Sequence, residues 1–292
     1  MKTNLSSQIK LDRIPRRYYN PDSEIELTAL RRQEKIDTRV YETAGEGADF
    51  IVEKIAKYIA RFIERRGKCV LALGAGNSTH IVYNALIKKY KEGVIDFDKV
   101  VVFNISEFFP LRPDGPSTLT RLHQVFLDQV NVRPENIHSI DPATTKEAMS
   151  EYCNAYEQQI ADEGGIDVAL CEIAPNGAIA FNEPGSQPTS YCRLVLLGNE
   201  MRHKVEKDYN CDDVPTTAIT LGLSNFISAR RLLCMAWGEN NANIIKEVVE
   251  GPATNAVPAS LLQGHPHVKV VTDLAGAEEL TRISQPWKVT SC

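Results

Sequence analysis

Beyond residue 67 the chain alternates short apolar runs with amphipathic or charged stretches, and this alternation constrains the fold more than any other feature. Parallel strands need a crossover long enough to hold a helix, so strand–helix alternation predicts an α/β domain with a parallel sheet. Apolar content predicts strands over 69–73, 100–105, 136–140, 167–173, 193–197, 216–221, 231–236 and 268–272. Helices are predicted over 78–91, 118–129, 145–163, 200–207 and 240–250. A short strand over 38–43 and a helix over 46–66 come first, the helix marked by Ile51, Ile55, Ile59 and Ile63 on one face. No repeat or low-complexity linker interrupts the pattern, which predicts one domain over 37–292 preceded by an extension over 1–36. The last residues, 286–292, read as a strand-like run that suits either a chain continuing beyond Cys292 or a natural terminus docked on the surface.

The extension mixes prolines, charges and aromatics from Arg13 to Pro21 without a period, as a segment draped over the core or a partner subunit, or as a basic cluster for an anion. A net charge of -5 argues against a general nucleic-acid binder. No run reaches the ~18 apolar residues of a membrane span, and the N-terminus lacks the apolar core of a signal peptide. Seven cysteines without CxxC spacing predict reduced thiols in the cytoplasm, not a disulfide framework or a metal site. Cys69, Cys171 and Cys234 fall inside apolar runs, where a thiol packs as a small hydrophobe.

Four motifs fall at carboxyl ends of predicted strands, where open α/β sheets hold their ligands. Gly74-Ala75-Gly76-Asn77-Ser78-Thr79 joins a strand to a helix and is either a tight turn or a cradle that offers backbone N–H groups to a phosphate. It is neither a Walker A loop nor a complete G-x-G-x-x-G. Asn104, Ser106 and Glu107 end the next strand, and Glu107 is either a general base or the partner of a helix end. Ile173 to Ser186 carries Asn176, Gly177, Ala178 and Glu183, with the glycines and proline of an active-site loop but no histidine, aspartate, lysine or cysteine. Trp237 to Ala242 is a further strand-to-helix turn. His80 either faces the same crevice or lies on a helix surface.

Together these motifs resemble the glucosamine-6-phosphate deaminase (isomerase) family over residues 38–282. Ile179-Ala180-Phe181-Asn182-Glu183-Pro184 is the most specific match. Tyr83-Asn84-Ala85-Leu86, Val102-Phe103-Asn104 with Glu107, and Val248-Val249-Glu250-Gly251 agree with it. The resemblance implies a Rossmann-like doubly wound, mostly parallel sheet with helices on both faces, a cytoplasmic role in amino-sugar metabolism, no cofactor and, in many members, a homo-oligomer. It also extends to longer proteins in which such a module precedes a deacetylase-like domain. The family's phosphate loop falls on Gly76, Asn77 and Ser78, its lid arginine near Lys207, and a further lysine on Asn241.

The family's reaction opens a sugar ring, moves a proton between C2 and C1, and expels ammonia. Its proton-transfer aspartate falls on Ser106, and its Asp-Gly-His segment reads Asn176-Gly177-Ala178, leaving only Glu183 of that relay. Serine is a poor base without activation, and neither Asn176 nor Ala178 titrates. Two readings follow from the resemblance. One is a sugar-phosphate-binding protein that has lost the deaminase relay; the other is an isomerase or deaminase that works through Glu107 and Glu183.

Overall fold

The computed structural model describes residues 14–112, 115–140 and 145–290. In chain order the elements are α1 (Glu24–Leu30), β1 (Asp37–Tyr41), α2 (Ala44–Arg66), β2 (Cys69–Leu73), α3 (His80–Lys91), β3 (Val100–Asn104), β4 (Ser106–Phe109), α4 (Thr118–Val125) and β5 (Ile137–His138). The second half adds α5 (Met149–Asp162), β6 (Val168–Glu172), β7 (Arg193–Leu196), α6 (Asn199–Tyr209), β8 (Thr217–Thr220), α7 (Leu223–Ser228), β9 (Arg231–Ala236), α8 (Ala242–Glu250), β10 (Val268–Asp273), α9 (Thr281–Ser284) and α10 (Trp287–Thr290).

Seven strands form one sheet in the order β1-β10-β9-β6-β2-β3-β5, and every neighbouring pair in it is parallel. Its strands read as continuous apolar runs because both faces are covered. Leu71, Val102, Leu170 and Met235 pack on the side of α2, α3 and α4, while Val70, Phe103, Ala169 and Cys234 pack on the side of α5, α7 and α8. This is the doubly wound arrangement the pattern and the resemblance imply. Burial pushes the Cys234 thiol up to about 12, so it packs as a hydrophobe.

From β2 the chain winds outward through β3 and β5, then returns to lay β6 against the other side of β2. The reversal between β2 and β6 is the topological switch point, and it opens a crevice past their carboxyl ends. The glycine loop follows β2, and the loop beginning at Ile173 follows β6.

The structure departs from the sequence-based expectation in three places. The strand predicted over 100–105 forms as β3, but the chain stays extended beyond it, redirected at Ile105, which donates to Leu73 O and accepts from Leu221 N. Beyond it β4 joins a small antiparallel sheet, β4-β8-β7. The strand-like residues 287–290 fold as the helical turn α10. The extension is not featureless either: α1 buries Leu27 and Leu30, while Arg13 and Cys292 lie outside the described residues.

The extension is pinned by a buried ion pair. Arg282 Nε lies 3.0 Å from Glu34 Oε1, with side chains 0% and 1% exposed. Arg282 also donates to Thr38 O at 3.2 Å, and among the described residues its Nη1 has no hydrogen-bond partner. Burial, opposed by the two arginines Arg282 and Arg31, pushes the Glu34 carboxyl up to about 7.

Candidate functional site

The crevice at the switch point is walled by Gly74, Ala75, Gly76 and Thr79 from the glycine loop, Ile105 and Ser106 from the start of β4, and Thr118 from α4. Glu172 and Ala174 enter from the end of β6, Ala180 and Phe181 from the loop beyond it, and Met201, Lys204, Val205, Asp208 and Tyr209 from α6. The cavity volume is about 80 Å³, small beside the ~300–1,000 Å³ of most small-molecule sites.

The loop is built close to its neighbours. A Cβ at Gly74 would lie 2.6 Å from Ile105 Cδ1, and one at Gly76 would lie 2.1 Å from Glu172 Oε2. Ser78 N donates to that same oxygen at 3.3 Å. Lys204 Nζ stands 3.0 Å from Glu172 Oε1 and also pairs with Asp208, one helical turn on. Burial alone would lower the Lys204 ammonium, but the two carboxylates hold it above its ordinary value.

A second layer supports this one. Asn77 Nδ2 donates to Asp208 Oδ1 at 2.6 Å, and Arg121 donates to Asn77 Oδ1 and to Asp208 O. Arg121 lies 4.5 Å over the Tyr209 ring and donates to His80 Nε2 at 3.2 Å. Burial and the nearby Arg121 guanidinium lower the His80 pKa, which matches a neutral ring that accepts. His80 thus faces an adjoining groove with Arg121 and Asp208, not the crevice itself.

The residues singled out from the sequence are not brought together as one reacting centre. Ser106 borders the crevice, but Glu107 does not. The Glu107 side chain is buried and accepts from Phe108 N at 2.8 Å, Ser117 Oγ at 2.9 Å, Thr118 N at 2.9 Å and Leu119 N at 3.0 Å. Its carboxylate therefore holds the start of α4, the helix-end alternative. Burial raises its pKa against those donors. Replacing Glu107 by glutamine is expected to cost about 1–3 kcal/mol, because an NH₂ group would face donors. A urea midpoint equal to that of the parent protein would show that the carboxylate does not anchor α4.

Glu183 behaves similarly. It accepts from Gly198 N at 2.9 Å, at the start of α6, and burial raises its pKa. Asn176 Oδ1 accepts from Ala178 N at 3.1 Å within its own turn. Ala178 is 1% exposed and packs among Phe108, Phe181, Leu197 and Met201, so a side chain extending from this position meets an apolar cluster. Asn182, fully buried, joins Ile179 O to Leu221 O and accepts from Arg193, so the Phe-Asn-Glu-Pro segment is a brace for the crevice wall.

Of the expected phosphate ligands, Gly76 borders the crevice, while Asn77 is engaged with Asp208 and Arg121. Lys207 is exposed and does not border it; Lys204, one turn of α6 earlier, does. Asn241 donates to Trp237 O at 2.7 Å and is linked to the loop through Trp237, whose Nε1 donates to Ser78 O at 2.9 Å. Sequence reasoning missed Glu172, Lys204 and Asp208. The legible signal was a lone carboxylate ending an apolar strand, and Met201 and Val205 marking the inner face of α6. Among the described residues, no His, Cys, Asp or Glu cluster could hold a metal ion, and no helix is long and apolar enough to cross a membrane.

The family model for Glucosamine-6-phosphate isomerases/6-phosphogluconolactonase matches residues 42–271. A glucosamine-6-phosphate deaminase-like protein of Bacteroides thetaiotaomicron is 45% identical over 295 residues; the match covers 100% of this chain but only 44% of that protein. Glucosamine-6-phosphate deaminase of Halothermothrix orenii is 36% identical over 230 residues, 78% of this chain and 95% of the relative. Among solved structures, a monomeric glucosamine-6-phosphate deaminase superposes with a TM-score of 0.78 at 25% identity, covering 84% of this chain and 100% of that one. A 6-phosphogluconolactonase from Trypanosoma brucei shares the fold, with a TM-score of 0.69 at 19% identity over 85% of this chain and 99% of that one.

Proposed function

Since the chain belongs to the family of glucosamine-6-phosphate isomerases and 6-phosphogluconolactonases, we propose that it binds a sugar phosphate in amino-sugar metabolism without the usual deamination relay. One observation carries this reading: among the described residues, no unengaged carboxylate, histidine or lysine faces the crevice. Glu107 and Glu183 are committed to the starts of α4 and α6, and position 178 is an alanine in an apolar cluster. The titratable groups that do border the crevice, apart from Tyr209, are Glu172, Lys204 and Asp208, and these are paired with one another.

Binding remains served. Gly76 brings backbone close to the space a ligand would enter, Lys204 supplies a cation, and Ser106 and Thr118 supply hydroxyls suited to a sugar. The reading with Glu107 and Glu183 as working acid and base is the weaker one, because neither borders the crevice.

Calorimetric titration with glucosamine-6-phosphate and, separately, unphosphorylated glucosamine tests the proposal. Saturable binding of the phosphorylated sugar alone is expected. Equal binding of both, or of neither, would remove the phosphate from the reading.

A further inference from the structure

We propose that Glu172 is an internal anion seated in the glycine loop, and that a phosphate enters the crevice by displacing this carboxylate and taking over its partners. The inference rests on the sugar-phosphate reading of the same crevice and adds what holds it closed.

Three observations point the same way. The carboxylate already uses the loop as a phosphate would. Ser78 N donates to Glu172 Oε2 at 3.3 Å, and the missing Cβ of Gly76 leaves the room in which that oxygen sits. Among the described residues, the only ammonium bordering the crevice is spent on it, Lys204 Nζ standing 3.0 Å from Glu172 Oε1. That contact clasps α6 to the end of β6 across the opening, and the remaining cavity of about 80 Å³ is small for a sugar phosphate.

Charge then decides who can enter. With Glu172 in place, the described residues bordering the crevice include two carboxylates, Glu172 and Asp208, and the ammonium of Lys204. A phosphate monoester brings roughly -1.5 to -2 charge at neutral pH, so it would meet a like-charged carboxylate on the loop that should bind it. With Glu172 rotated away, the Ser78 N–H and Lys204 become free, and one anion is exchanged for another. Lys204, not Lys207, is then the phosphate's counter-ion.

Inorganic phosphate and glucosamine-6-phosphate, titrated calorimetrically into the full chain and into its Glu172→Gln and Glu172→Ala variants, test the proposal, with circular dichroism confirming the fold. Both ligands are expected to bind at least about tenfold more tightly to Glu172→Ala than to the parent, with Glu172→Gln between them. Adding Lys204→Met to Glu172→Ala is expected to abolish the gain. If folded Glu172 variants bind phosphate no more tightly while the parent binds glucosamine-6-phosphate, the internal-anion proposal fails and the sugar-phosphate reading stands. If the variants gain inorganic phosphate but no preparation binds glucosamine-6-phosphate, the internal anion stands and that reading fails. Binding of neither ligand to any variant overturns both.

Discussion

Ammonia release from glucosamine-6-phosphate is expected to run at least about 10²–10⁴-fold more slowly than in a family member with the full relay, the contribution of one positioned proton-transfer group. That is about 3–5 kcal/mol of barrier. The losses at 106, 176 and 178 are not multiplied together, because groups that act as a unit are strongly non-additive. The expectation rests on placement as much as on identity. Ser106, a poor base without activation, borders the crevice, and Ala178 is packed among Phe108, Phe181, Leu197 and Met201. Glu107 cannot easily be recruited, since moving its carboxylate would strand the four donors it satisfies. A coupled ammonia assay checks this, and a rate within tenfold of a complete relative would show that another group has taken over the proton transfer.

The largest expected stability effect lies far from the crevice. Glu34→Leu is expected to cost about 3–5 kcal/mol, because it leaves the Arg282 guanidinium buried, charged and without its counter-ion. Arg282→Met is expected to cost less. The carboxyl of Glu34 is already pushed up to about 7 and can take a proton when its partner goes, whereas a guanidinium cannot lose one. The double variant is expected to recover most of the loss, since well-packed apolar groups often replace a buried pair without penalty. The sign of the pH dependence follows from the raised value. The stability linked to protonating Glu34 is fully present below its unfolded value, near 4.3, and is lost as the pH rises through about 7. Urea unfolding of the parent protein and the three variants between about pH 4 and 8 checks both points. Arg282→Met costing more than Glu34→Leu would contradict them.

Much of the scaffold was legible because strands covered on both faces must be apolar throughout. Cys69–Leu73 and Arg231–Ala236 have the bounds their composition suggests. The continuation beyond Ile105 into β4 was not legible. No glycine or proline interrupts 100–109, and the redirection is made by Leu73 O and Leu221 N, partners remote in sequence. Helix α1 escaped for a related reason: its seven residues carry too little periodicity to be read alone, and burial of Leu27 and Leu30 stabilises them. At the crevice, the position of the loops followed from strand ends, but their hydrogen-bond partners did not. Lys204 and Lys207 both sit on a strongly charged helix, and only the inner spacing of Met201 and Val205 distinguishes them. Glu172 reads as the end of a strand until the structure shows Gly76 making room for its carboxylate.

The central claim is binding of a sugar phosphate without deamination, and one combined measurement tests it most directly. Glucosamine-6-phosphate is titrated into the protein in a calorimeter, and ammonia is assayed in the recovered sample after a long incubation. The account predicts saturable heat and ammonia release at least about 10²-fold slower than in a relative with the full relay. Saturable heat together with ammonia release within about tenfold of that relative would contradict it.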